Sequence, residues 1–194
     1  KDSPEHMNVD GEEELLFRLK KLPKETSEYY FNVLDKIRER LDVTPDDDRL
    51  VFSTKNDRDR LSFQIGQRYC WAVYSNQLFT FIVPKKVDVK GIDSTGDFAD
   101  STKWVDTPKQ SIVDEHIDNI IAGCQDELSL ISTSNFKRHD NKAFRKAVFD
   151  QEYRMMILNQ LSYSESKPKT MTHPLNQILY GPPGTGKTFN TINE

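Results

Sequence analysis

The sequence predicts an α+β fold: an antiparallel β-meander of three to four strands flanked by helices at both ends, then a linker and a short strand leading into a glycine-rich loop. Three observations carry this. Apolar residues recur at helical spacing before residue 42 and again after 107. Between 49 and 83 the period falls to two, the spacing of a half-buried strand. Near the C-terminus a polar, proline-containing stretch ends in the apolar segment LNQILY, followed by GPPGTGKT.

The N-terminal KDSPEH, 1–6, reads as a vector-derived lead-in, with Met7 as the natural start. EEELLFRLKKL, 12–22, places acids first and lysines last, the order that suits a helix macrodipole. Leu15, Leu16, Leu19 and Leu22 form its stripe, and Pro23 interrupts it. Thr26 or Ser27 is then expected to cap a second helix whose buried face is Tyr30, Val33, Leu34, Ile37 and Leu41. TPDDD, 44–48, is a turn.

RLVFST, 49–54, is a short strand. In RLSFQI, Leu61, Phe63 and Ile65 point one way and Ser62 and Gln64 the other. QRYCWAVY follows as a third strand after a bend at Gly66. SNQ, 75–77, turns the chain into LFTFIV, which Pro84 stops. Residues 84–106 are turn-rich and read as a long loop with short strand pieces. Thr107, Pro108 and Gln110 match a capping box with proline at the first helical position. Val113, Ile117, Ile120, Ile121 and Cys124 line that helix, and STSN, 132–135, breaks it. One further helix is expected from Asp140 to Leu161, with Phe144, Ala147, Val148, Met155 and Leu158 in the core. The resulting division is a domain over 7–161, a linker over 162–174 and the start of a second domain over 175–194.

Composition narrows the function classes. The 194 residues are 36% hydrophobic and 30% charged, with a mean hydropathy of -0.71. No apolar run approaches a membrane span. Cys70 and Cys124 are the only cysteines, which points to a reduced, cytoplasmic setting and not to a disulfide scaffold. The four histidines pair with no cysteine at zinc-ligand spacing. A net charge of -4 leaves room only for a local basic face.

Gly181-Pro182-Pro183-Gly184-Thr185-Gly186-Lys187-Thr188 matches the phosphate-binding pattern G-x-x-x-x-G-K-[ST] without departure. Its glycines let backbone amides turn inward around phosphates, where a Cβ would obstruct. Lys187 is placed to neutralise the β- and γ-phosphates, and the Thr188 hydroxyl to ligate Mg²⁺. The cofactor of an intact motor domain would be GTP or ATP with Mg²⁺. No acidic Walker B strand follows within the sequence, so this chain is expected to bind no nucleotide tightly and to hydrolyse none.

NQILYGPPGTGKTF resembles the start of the AAA+ domain of the McrB family, the GTP-driven motor subunits of modification-dependent restriction systems. The resemblance covers about 20 residues. It implies an N-terminal domain that recognises DNA, commonly with a modified base such as a modified cytosine. It also implies a ring-forming motor and a separate McrC-like nuclease subunit as partner. The fragment itself is expected to be monomeric, since such rings assemble through the motor.

For that reading the DNA-binding candidates are the basic run KRHDNKAFRK, with Lys137, Arg138, Lys142, Arg145 and Lys146, together with Lys85, Lys86 and Lys90 after the meander. Trp104, between Lys103 and Lys109 in a polar stretch, is the stacking candidate, while Trp71 is assigned to the core. Tyr69 and Tyr74 fall on opposite faces if their strand alternates regularly, leaving one available. Two other classes stand beside this one. A protein-interaction module would recruit a partner to the motor, and the acidic balance suits it. A PD-(D/E)xK nuclease would use Asp46 with Asp88 and Lys90 around a metal ion.

Overall fold

The computed structural model describes residues 9–54, 59–90, 92, 94–96, 101–132 and 137–165. The expected linker beyond 165, LNQILY and GPPGTGKT lie outside them. The fold is α+β, with an antiparallel sheet and helices at both ends of the chain.

Helix α1 (Glu12–Leu19) carries three glutamates in its first turn and Arg18 in its last. Helix α2 (Lys24–Leu41) begins directly after Pro23, earlier than the expected caps. Proline's fixed φ, here −55°, suits the position ahead of a helix, and its carbonyl accepts the Ser27 amide at 3.1 Å. Thr26 and Ser27 are therefore buried inside the first turn.

The strands are β1 (Leu50–Ser53), β2 (Arg60–Ile65), β3 (Arg68–Tyr74), β4 (Phe79–Pro84), β5 (Ser94–Gly96) and β6 (Thr102–Thr107). Their order is β1-β2-β3-β4-β6-β5, with every neighbour antiparallel. The meander of β1 to β4 is the one its alternation predicts. The turn-rich stretch after Pro84 adds two strands, with β6 inserted between β4 and β5. TKWVDT hides this because Val105 is its only aliphatic residue, so no apolar alternation marks it.

Helices α3 (Gln110–Glu115) and α4 (Ile117–Leu130) part at His116. The capping box does not form. Thr107 ends β6, its hydroxyl accepts the Lys109 amide at 3.1 Å, and the helix starts only at Gln110. A 3-10 turn, Lys137–His139, precedes α5 (Lys142–Phe149) and α6 (Gln151–Glu165). The single helix expected over 140–161 is thus interrupted at Asp150, whose carboxylate accepts the Tyr153 amide at 3.0 Å. The break rotates the helical phase. Tyr153, Ile157, Leu158 and Leu161 are buried, whereas Met155, expected in the core, is 50% exposed. Helix α6 also runs four residues past the expected boundary at 161.

The core fills one face of the sheet, the face of Phe52, Phe63, Trp71, Phe79, Phe81 and Val105. Trp71 stacks between Tyr30 of α2 at 5.5 Å and Phe79 at 5.4 Å, and its indole N–H donates to the Tyr30 carbonyl at 3.0 Å. Each such ring pair adds about 0.5–1.5 kcal/mol beyond area burial. Helix α4 lies against β4 at Gly123, where a Cβ would stand 3.1 Å from the Ile82 carbonyl oxygen.

The outer edge of β1 is closed by two residues ahead of α5. The Phe52 amide donates to the Asp140 carboxylate at 2.8 Å, and the Phe52 carbonyl accepts the Asn141 amide at 2.8 Å. The Asn141 side chain then caps α5 through the Phe144 amide at 2.8 Å and donates to the Gly11 carbonyl at 2.9 Å.

Candidate nucleic-acid interface

The face of the sheet turned away from the core is built from the other parity of each strand. Cross-strand pairing aligns Val51 with Gln64, and Gln64 with Tyr69. On the far side of β4, Ile82 pairs with Trp104. One row down, Ser53 pairs with Ser62, Ser62 with Ala72, Ala72 with Thr80, and Thr80 with Asp106. Beyond that, Arg60 pairs with Tyr74.

Tyr69 belongs to this face because β3 is not regular. Phe63 pairs with Trp71 and the next residue, Gln64, pairs with Tyr69, so Cys70 is surplus. A bulge of this kind shifts the pleat by one residue. Tyr69 and Tyr74, expected on opposite faces, therefore share one. The contacts agree: Arg60 lies over both rings, with its guanidinium carbon 3.7 Å from the Tyr69 centroid and 5.6 Å from that of Tyr74. Its Nη1 donates to the Tyr74 hydroxyl at 2.8 Å. Tyr69 in turn tilts against Trp104, with centroids 6.3 Å apart.

Arg60 and Tyr69 sit four positions apart along the ladder, about 13 Å at strand rise. For guanidinium and ring to meet, both side chains must lean across the Ser62–Ala72 pair between them. That accounts for two small residues at 0% exposure on a face away from the core. A guanidinium over a tyrosine face is worth about 0.5–2 kcal/mol. Beside it, the buried Gln64 donates from Nε2 to the Ser62 hydroxyl at 3.1 Å. The result is a half-buried cluster of three aromatic rings and one cation, with Trp104 also packed against the hydrophobic core and the Gln64 amide buried beside it.

The basic candidates fall into separate groups. Lys85 and Lys86 are exposed just after β4, three and four positions beyond Ile82, the partner of Trp104. Lys90 is exposed further along. Lys103 pairs with Val83 and takes the parity opposite to Trp104, so these two do not act on one face. Lys109 is exposed at the N-cap of α3.

Of the run 137–146, Arg145 is committed internally. It donates to Asp140 at 2.8 and 3.0 Å, to the Pro45 carbonyl at 2.8 Å and to the Leu50 carbonyl at 2.7 Å. The others are exposed. Lys137 pairs with Asp48, Lys142 with Asp10 at 3.3 Å, and Lys146 with Asp150 at 3.3 Å. Arg138 Nε lies 3.1 Å from His139 Nε2. Exposed ion pairs contribute about 0–1 kcal/mol, so phosphate could replace these carboxylates at little cost.

The residues proposed for a nuclease are not brought together. Asp46 precedes β1 and Asp88 and Lys90 follow β4, with two strands between, about 14 Å at sheet spacing. Among the described residues no group of three or more His, Cys, Asp or Glu side chains could hold a metal ion. No described helix is long and apolar enough to cross a membrane. Cys70 and Cys124 are free and buried. Burial pushes the Cys70 thiol well above its ordinary value, and the hydrogen bond with Cys124 adds to this.

Arg60 and Gln64 escaped the sequence reading. Their signal was present: they share parity with Ser62 in RLSFQI, and a glycine opens the two-residue Gly66–Gln67 turn behind them. Counting pairs back from that turn exposes the surplus residue in β3. Comparison of the chain with protein-family models, curated proteins and solved structures returns no match.

Proposed function

We propose that residues 9–165 form the DNA-recognition domain of a McrB-like AAA+ protein, reading a base, commonly a modified cytosine, on the face of Tyr69, Tyr74 and Trp104. The observation that carries this is the guanidinium of Arg60 stacked on Tyr69, with Tyr74 and Trp104 on the same side of the sheet. A planar, delocalised cation held over an aromatic ring supports stacking of a flat group on this face. Bases stack on such rings for about 1–3 kcal/mol each, and Arg adds cation–π and phosphate contacts. Lys85 and Lys86, about 10–13 Å further along from the Trp104 row, supply charge for the backbone. The motor half of the proposal, with GTP or ATP, Mg²⁺ and a McrC-like partner, rests on GPPGTGKT alone.

The test is fluorescence anisotropy with labelled single strands and duplexes, with and without modified cytosine, across a salt series. Binding should weaken as salt rises. Tyr69→Ala should cost about ten-fold or more in Kd, the loss of one stacked base. Unchanged affinity in a folded Tyr69→Ala variant removes the platform. No salt-dependent binding to any probe leaves the protein-interaction module.

A further inference from the structure

We infer that Gly66 and Cys70 are positioning residues for this platform: the tight turn at Gly66 sets a register that leaves Cys70 over, and the surplus residue turns Tyr69 outward. The functional consequence rests on the DNA-recognition reading; the register does not.

Two pairings compete for this hairpin. In the observed one Ile65 pairs with Arg68 across the two-residue Gly66–Gln67 turn. In the regular alternative, alternation continues back from Trp71, so that Gln64 meets Cys70 and Ile65 meets Tyr69 across a three-residue loop. The alternative satisfies the ladder without a bulge, yet it sends Tyr69 into the core and Cys70 to the platform.

Two features select against it. Gly66 has φ +59°, and Gln67 is not among the residues with positive φ. This is the pattern of a type II′ turn, whose first central position favours glycine and whose twist matches a two-residue hairpin. The turn thereby holds Ile65 to Arg68. On the core side, Cys70 is fully buried in hydrogen-bonding contact with Cys124 of α4, and its thiol reaches back to the Arg68 carbonyl at 3.5 Å. A fully buried site packed around a thiol would have to expand to take a phenol ring. Glu127 of α4 braces the same corner, hydrogen-bonded by the Thr102 hydroxyl and 3.9 Å from Arg68. Turn and core therefore agree on one register, and Tyr69 enters the Trp104 row only in that register.

The experiment reads the stack directly. In the full, isotope-labelled chain, the Arg60 side-chain protons over the Tyr69 ring should show an upfield ring-current shift in NMR, assigned by its loss in Tyr69→Leu. Gly66→Asn keeps a residue that tolerates positive φ, whereas Gly66→Val does not. Both add a Cβ about 2.9 Å from Ile131 Cδ1, so that contact is common to them, with one further γ carbon in valine. Gly66→Asn should keep the shift and stay within about two-fold of wild-type affinity for a single-stranded oligonucleotide, while Gly66→Val should lose the shift and about ten-fold in affinity, as Tyr69→Ala does. A folded Gly66→Val with the shift intact overturns the inference. So does loss of the shift in Gly66→Asn, which would assign the effect to the Ile131 contact. If Gly66→Val does not fold, Gly66→Ala decides: a second set of Arg60 resonances supports the inference, and a single wild-type set overturns it. Should wild type bind no oligonucleotide, the DNA reading falls while the ring-current shift still decides the register.

Discussion

Trp71 and Tyr69 stand two residues apart on one strand, yet they live by different rules. Trp71 is fully buried, stacked between Tyr30 and Phe79, with its N–H satisfied by a backbone carbonyl. Tyr69 is half-buried, and its ring faces a cation and a second indole. Regular alternation would have put both on the same side. The difference shows that one surplus residue can convert a core position into a surface position without changing the strand's composition.

The largest break in this comparison comes from truncating each ring. Trp71→Ala should lose about 3–5 kcal/mol of stability, a large share of the roughly 5–15 kcal/mol a domain has, seen as a large drop in urea midpoint. Tyr69→Ala should move the same midpoint by no more than about 2 kcal/mol, the worth of its contact with Arg60, and act chiefly on binding. If the two variants destabilise equally, the two faces are not distinct.

Asn141 and Arg145 sharpen the contrast next. Asn141→Ala removes the α5 cap together with the bonds to Gly11 and Thr54, and should cost about 2 kcal/mol. Arg145→Ala should be comparable, since it strips Asp140 and two backbone carbonyls of their donor. Lys142→Ala, a few residues away but exposed, should stay within about 0.5 kcal/mol. Oligonucleotide affinity should respond in the reverse order if Lys142 meets phosphate.

The smallest effect is on pH. The hydrogen bond from Arg49 holds the Asp47 carboxyl below its ordinary value of 3.8, and the Tyr153 amide does the same for Asp150. A carboxylate with a lowered folded value contributes fully above its unfolded value and loses that contribution as pH falls through the folded one. The urea midpoint should therefore hold from neutral pH to just above 4 and decline below it. Asp47→Asn should flatten part of that decline.

The sequence exposed the core more fully than the platform. Leu15, Tyr30, Ile37, Phe63 and Ile120 were legible because burial is written in periodicity. Strand β6 was legible only as short strand pieces within a loop, because its partners more than its own residues make it a strand. The break at Asp150 was not legible, since there one capping carboxylate outweighs a continuous helical pattern. Trp104 was singled out by its polar surroundings, and the structure sets it beside Tyr69. Arg60 was overlooked because its importance depends on a register fixed by the turn at Gly66.

The closed edge of β1 has a bearing on how the chain behaves among its own copies. LVFS is short, apolar and buried throughout, the composition from which strand-to-strand association between molecules starts. Phe52 would offer its amide and carbonyl to any incoming strand, but Asp140 and Asn141 already occupy both. Chain growth on that side would first have to unseat α5, which ties resistance to self-association to the integrity of a single helix cap.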